Sequence, residues 1–218
     1  VRFVEFTYPR TLEWSLDDYS RAIARALAEL GITRGWLLGE SFGSQLVWPF
    51  FRPQFDASGF QPTGVILAGG FVRYPARALV GLADAICGGI SLPSLTRFLY
   101  VYAKYARFRH RHAPETMASI DEFIARRTEL DKRAAQHRLR LIARNDPRPT
   151  VRKLELPLFH LSGFIDPIVP WWLVRPWLRR NCPGYRGSRV IGSADHNVLS
   201  TAPRNAAGAT AAAAAADK

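Results

Sequence analysis

The sequence predicts an α/β fold, a mostly parallel sheet flanked by helices and interrupted by a helical insertion. Three observations carry that expectation. The runs "RGWLLG" (34–39), "TGVILAGG" (63–70) and "LPLFHLSG" (156–163) are nearly continuous in apolar residues, as strands buried on both faces are. A helical pattern precedes or follows each run, which is the rhythm of crossover connections between parallel strands. At Phe71 that rhythm stops, and no good buried strand follows until the run at 156–163.

Taken in order, "VRFVEF" (1–6) is short, β-branched and aromatic and reads as a strand ending at the Tyr8-Pro9 turn. In "SLDDYSRAIARALAELG", Ser15 with Asp18 three residues on has the form of a capping box. Leu16, Tyr19, Ile23, Leu27 and Leu30 recur at helical steps, and Gly31 supplies the stop. "SQLVWPFFRPQF" is expected to be the helix after the run at 34–39, shortened or kinked at Pro49. Within 71–150, "LTRFLYVYAKYARF" places Leu95, Phe98, Leu99, Tyr102 and Ala106 on one helical face. One or two further helices follow "RHRHAP", with Pro114 in a first turn and Ile120, Phe123 and Ile124 apolar. "RNDPRPT" breaks the pattern. "PWWLVRPWLRRN" then reads as a helix opened by Pro170, and "GSRVIGS" (187–193) as a last strand. The alanine-rich tail fits a weak helix or a frayed end equally well.

The chain therefore divides into 1–70, the first part of an α/β core; 71–150, a helical insertion expected to act as a lid; and 151–218, the rest of the core. At 218 residues, 48% hydrophobic and 22% charged, it is long enough for one domain with a sizeable core and is not disordered in composition. The least polar segment, Leu79–Pro93, is too short to span a bilayer and contains Asp84, so no membrane span is expected. Two cysteines, Cys87 and Cys182, make neither a disulfide framework nor a metal quartet; reduced thiols in a cytoplasmic protein are expected, with no metal and no organic cofactor. The chain starts at a valine and its one methionine is Met117, which reads as a fragment of something longer. The formal net charge is +12, and 17 Lys/Arg against 7 Asp/Glu lie between Phe71 and Lys153. So concentrated a basic surface suits an anionic partner.

Chemistry enters at "GESFGS", where Ser41 stands between Gly39 and Gly43 at the junction of a buried strand and a helix. A serine there is presented on a tight bend, and the Phe42 N–H at the helix start suits a developing oxyanion. A hydroxyl needs a base and the base an orienting acid, each just beyond a later strand. Of the five histidines, only His196, in "VIGSADHNVL", immediately follows a predicted strand. His160 lies inside one, and His110, His112 and His137 fall in the basic stretch; the pair His110 and His112 is interleaved with Arg109 and Arg111 and makes a poor metal site. Asp166, in "GFIDPIVP", lies in a strand-to-helix loop between Ser41 and His196 in sequence.

With these three segments in this order, the chain resembles an α/β-hydrolase of the lid-bearing serine esterase type, from Val1 to about Leu199. The resemblance implies Ser41 as nucleophile, His196 as general base then acid, and Asp166 as its orienting carboxylate. It also implies a small-molecule ester as substrate, with Trp171, Trp172 and Tyr102 as candidate walls of an acyl pocket. Two departures stand out. Asp195 occupies the position before the histidine where family members often have glycine, so it is expected to raise the histidine pKa or to face water. The family's first three strands and its oxyanion loop are expected upstream of Val1, leaving Phe42 N–H as the one donor, at a cost of about 10²–10³ in rate. The basic insertion suggests an acidic acyl carrier protein as an alternative partner, acted on as ester or thioester. A non-catalytic interaction module is a further alternative, and nucleic acid is disfavoured because the arginines are scattered along helices without a binding motif.

Overall fold

The structure, a computed structural model, describes residues 2–57, 59–109, 111, 117 and 128–215. Four strands form one parallel sheet: β1 (Arg34–Glu40), β2 (Gln61–Ala68), β3 (Leu158–Gly163) and β4 (Tyr185–Ile191), side by side in that order. Val65 to Ala68 of β2 are almost fully buried, as a central strand covered on both faces must be. One face packs Val65, Leu67 and Leu158 with Trp48, Phe50, Val174 and Leu178; the other packs Ile66, Ala68, Leu161 and Ile191 against the C-terminal helix.

The helices follow from local chemistry. α1 (Leu16–Glu29) starts at a reciprocal Ser15–Asp18 capping box and runs into Gly31, whose φ of +66° suits glycine. α2 (Gly43–Leu46) is a single turn continued as a 3₁₀ turn, Trp48–Phe51, because Pro49 has no N–H to extend the α pattern. After β3, α7 (Trp171–Asn181) is preceded by Pro170. After β4 come α8 (Val198–Thr201) and α9 (Pro203–Ala215). The tail is thus helical: Ala206, Ala209 and Ala213 recur every three to four residues and lie in the core with Ile66, Leu161 and Ile191.

Between β2 and β3 the described residues form only helices: α3 (Arg77–Gly89), α4 (Leu92–Arg109), α5 (Glu129–Arg144) and the short α6 (Arg148–Val151). α3 packs on α5, where Arg140 Nε pairs with Asp84 at 3.0 Å and Gln136 Nε2 donates to the Asp84 carbonyl. The "RNDPRPT" breaker contains α6, whose Val151 is fully buried in the main core, so the chain has rejoined the core by that point. His110, His112, Pro114 and the apolar Ile120, Phe123 and Ile124 lie outside the described residues.

One expected element is absent. Residues 2–6 form no strand, and Phe3 is 68% exposed. β-Branched and aromatic residues favour a strand only where a neighbour completes the ladder, and here none pairs with them. The sheet runs unbroken from β1 to β4, and among the described residues the outer edge of β1 is unpaired.

Candidate active site

Ser41 follows β1 directly and is the one non-glycine residue with positive φ among the described residues, at +51°. A side chain held in that region is a strained feature that the surroundings must enforce. They do so through the two flanking glycines. A Cβ on Gly39 would lie 2.8 Å from both the Gly43 carbonyl oxygen and Ser44 Cα, and one on Gly43 would strike the Tyr8 hydroxyl. Ser41 N–H donates to the Ala68 carbonyl of β2 at 3.0 Å, fixing the bend to the sheet. Ser44 Oγ donates to the Ser41 carbonyl at 2.6 Å and accepts from Phe71 N–H at 3.2 Å. Gln45, fully buried, donates to the Phe71 carbonyl at 2.9 Å and accepts from Asn145 Nδ2 at 3.0 Å. The bend is thereby tied to the loop after β2 and to the end of α5.

The structure brings the three residues singled out by sequence into one chain of contacts. Ser41 Oγ lies 2.7 Å from His196 Nε2, across 155 residues of sequence. On the other ring nitrogen, His196 Nδ1 lies 3.1 and 3.0 Å from the two Asp166 oxygens. The Asp166 side chain is fully buried, and its Oδ1 accepts the amides of Ile168 and Val169 at 2.8 Å each. Three donors thus converge on one carboxylate. With Asp166 an acceptor, His196 Nδ1 carries the ring hydrogen, and Nε2 is left to accept from the Ser41 hydroxyl.

The histidine loop is seated closely on the strand ends. A Cβ on Gly69 would collide with the His196 carbonyl, and one on Gly163 with the Asp195 carbonyl. Gly69 also has φ of +52°. Asp195 does not face water: it is 6% exposed and its Oδ1 accepts Asn197 N–H at 3.0 Å. Burial, followed by the neighbouring Asp195 charge, pushes the Tyr102 phenol up to about 12. Glu40, the residue before the serine, accepts Leu199 N–H at 2.8 Å; burial raises its pKa, and that amide and His196 oppose the rise.

Of the candidate pocket residues, Tyr102 lies on α4 and is 37% exposed. Trp171 donates its indole N–H to the Phe164 carbonyl at 3.3 Å and meets the 55%-exposed Trp172 edge to face. A concavity of about 630 Å³ lies farther along α4, between Leu92 and Lys104, and includes none of these three residues. Phe42 opens α2, its ring against Tyr8 and Tyr19, with the Arg138 guanidinium 5.7 Å from its centre. His160 faces the interior as expected, 1% exposed with Nδ1 3.3 Å from Ser188 Oγ, and burial depresses its pKa to about 4. Cys87 and Cys182 are both free. Among the described residues, no group of three or more His, Cys, Asp or Glu gathers as metal ligands would.

Sequence reading passed over Tyr8, Glu40, Gln45 and Asn145. Glu40 and Gln45 were visible as polar residues inside an apolar strand-to-helix stretch, where burial demands a partner. Tyr8 and Asn145 gave no such signal, since their partners are distant in sequence.

A strained bend at Ser41 after β1, with Asp166 after β3 and His196 after β4 of one parallel sheet flanked by helices, is the arrangement of the α/β-hydrolase fold, and this chain has it. Solved structures carry the same fold. A hydrolase from Pseudomonas aeruginosa is 16% identical with a TM-score of 0.69, covering 92% of this chain and 72% of its own. An esterase from Exiguobacterium antarcticum is 13% identical with a TM-score of 0.70, covering 94% and 75%. A thermophilic esterase from Thermogutta terrifontis is 19% identical with a TM-score of 0.69, covering 91% and 71%. No protein-family model matches the chain, and no curated protein matches it in sequence.

Proposed function

We propose that the protein is a serine hydrolase that cleaves a carboxylic ester of a small or medium acyl group. The observation that carries this reading is the continuous Ser41–His196–Asp166 contact chain, with Ser41 at positive φ. Ser41 Oγ attacks the acyl carbonyl carbon as its proton passes to His196 Nε2. The new imidazolium is held by the Asp166 carboxylate. Phe42 N–H, at the start of α2, donates to the oxyanion. Collapse of the tetrahedral species expels the alcohol, which takes the proton from Nε2 and leaves an acyl-serine. Water, deprotonated by the same nitrogen, then releases the acid and restores the serine. Two neighbours of the same fold are esterases, which supports the reaction class.

The basic excess between Phe71 and Lys153 favours a second reading of the substrate, an acyl group delivered as ester or thioester on an acidic carrier protein docked against the insertion. Turnover of a carrier-bound acyl group would then fall steeply with salt, while a free ester would be insensitive to it. As a scaffold without catalysis, the chain would have no need to keep all three contacts within hydrogen-bond reach.

The test is covalent labelling by a fluorophosphonate, with peptide mapping and a Ser41→Ala control. Label on Ser41 that the variant abolishes is the expected result. A folded chain that takes no label contradicts the reading.

A further inference from the structure

We propose that Arg138 is a positioning residue: from α5 of the insertion, its guanidinium closes a cluster of rings that holds Phe42, and with it the Phe42 N–H, beside Ser41. This inference rests on the hydrolase reading above, in which that N–H meets the oxyanion. It adds the group that fixes the donor from outside the bend.

Phe42 stands between the serine and the first turn of α2 and is buried. Its ring lies edge to face with Tyr8, 5.6 Å centre to centre, and with Tyr19 at the same separation. Tyr8 and Tyr19 meet edge to face in turn at 6.2 Å, so the three rings close a triangle. Edge-to-face contact is directional, and a ring held on two sides resists tilting. The Arg138 guanidinium lies over two members of the triangle, 5.3 Å from the centre of Tyr8 and 5.7 Å from that of Phe42. A cation over a ring face is attracted by the ring quadrupole, more strongly where water is excluded. Water is excluded here: Arg138 Nε is buried and has no hydrogen-bond partner among the described residues. The two rings are therefore the main neighbours that favour the cation at that end of the side chain.

Arg138 meets Tyr8 because α5 holds residues 9–14 at several points. Arg138 Nη2 donates to the Pro9 carbonyl at 3.4 Å, His137 Nε2 donates to the Trp14 carbonyl at 2.8 Å, and Arg10 pairs with Asp131. The start of α5 is fixed by the reciprocal Thr128–Asp131 capping box, and its end by Asn145, which donates to Gln45 of α2. Tyr8 is thereby seated on the bend, where a Cβ on Gly43 would strike its hydroxyl. The Ser41–Phe42 peptide is thus constrained from both sides, by the positive φ of Ser41 and by the ring of Phe42 among Tyr8, Tyr19 and Arg138. Without Arg138 the triangle opens toward α5 and the first turn of α2 can tilt. A displaced donor loses strength where charge develops in the transition state, and matters little where the neutral ester binds.

The experiment measures hydrolysis of p-nitrophenyl butyrate, with fluorophosphonate titration to count active sites. Alongside it runs inhibition by a butyl trifluoromethyl ketone, which adds to a serine as an oxyanion. The variants are Arg138→Met, which keeps a long stem without charge or donors, Arg138→Lys and Arg10→Ala. Arg138→Met should lower kcat per titrated site roughly tenfold with KM nearly unchanged, and weaken the ketone by a similar factor. Arg138→Lys, which retains a cation for the rings, should recover to within about threefold of wild type. Arg10→Ala breaks a neighbouring tie between the same two segments, one that involves neither ring, and should stay within about twofold. A merely structural role lowers the number of titratable sites and leaves kcat per site unchanged; that result overturns the proposal. So does an Arg10→Ala loss as large as that of Arg138→Met, or a ketone affinity that Arg138→Met leaves intact. A wild-type chain inert toward the fluorophosphonate refutes the hydrolase reading and this inference with it, whereas a labelled wild type beside an unaffected Arg138→Met refutes this inference alone.

Discussion

Replacing Asp166 by asparagine exchanges one buried oxygen for an NH₂ group and leaves the side-chain volume almost unchanged. Oδ1 can still accept the amides of Ile168 and Val169, now at 2.8 Å, so the turn they close keeps its partners. The exchanged atom takes the place of Oδ2, which lies 3.0 Å from His196 Nδ1. Two donors cannot face each other at that distance, so the imidazole shifts its hydrogen to Nε2 and accepts through Nδ1. The 2.7 Å contact with Ser41 then survives with its direction reversed, the ring donating to the hydroxyl. The geometry is preserved and the base is gone. Loss of tautomer control of this kind costs about 10⁴ in turnover, or about 5.5 kcal/mol of barrier. Stability should change by only about 1 kcal/mol. Asp166→Ala is the contrasting variant. It strips the acceptor from three buried donors at about 1–3 kcal/mol each, so it should be destabilised by several kcal/mol as well as inactive. Rates with p-nitrophenyl butyrate, measured beside denaturant unfolding of each variant, separate the two cases. An Asp166→Asn chain that folds and retains activity within tenfold of wild type would refute the assignment of Asp166 as the orienting acid.

Further outcomes follow from the same contacts. Gly39→Ala puts a methyl 2.8 Å from backbone atoms of Gly43 and Ser44, with no flexible side chain to give way; a loss of about 1–3 kcal/mol by denaturant unfolding and loss of Ser41 labelling are expected. Glu40 has a folded pKa raised above its ordinary 4.5, so its stabilising contribution is present below that value and lost as pH rises through the raised one. Glu40→Gln, which keeps the acceptor for Leu199, should therefore match wild type in melting temperature below the ordinary value and exceed it increasingly as pH rises above it. Ala206→Leu in the methyl face of α9, where only 1% of the residue is exposed, should destabilise by about 1–3 kcal/mol, whereas Ala207→Leu on the exposed side should stay within about 0.5 kcal/mol in the same unfolding assay.

The parts of the fold written in local chemistry were legible. The capping box at Ser15, the stop at Gly31 and the buried apolar runs each declare themselves within a few residues, and all are observed. Val1–Phe6 shows the limit of that reasoning. Its residues have strand character, but a strand is a relation between two segments, and the described residues offer it no ladder. The tail failed in the opposite sense. Its alanines carry too little hydrophobic contrast to predict order, yet the face of Ile66, Leu161 and Ile191 is enough to hold them in a helix. Ser41, Asp166 and His196 were legible for a third reason: each follows a strand, so topology alone carries three distant residues to one end of the sheet.

What sequence order did not convey is how the insertion engages that end. The loop before His196 meets α4 through Arg109, whose Nη2 donates to the Gly192 carbonyl across 83 positions, and no spacing rule links the two. Gln45 and Asn145 are joined in the same way across 100 positions, from α2 to the end of α5. Both contacts join the 71–150 segment to the core, one beside the histidine and one behind the serine. The insertion therefore contacts both the loop before His196 and the residues that follow Ser41. That arrangement has a consequence for the insertion: substitutions at these contacts that never touch substrate should alter the maximal rate. Variation in its exposed residues, Arg97 or Phe98 for example, should leave the rate alone and act on KM. Measuring kcat and KM for one residue of each kind, Asn145→Ala and Phe98→Ala, tests the division directly. A loss confined to KM in Asn145→Ala would show that the brace behind the serine does not bear on the chemistry.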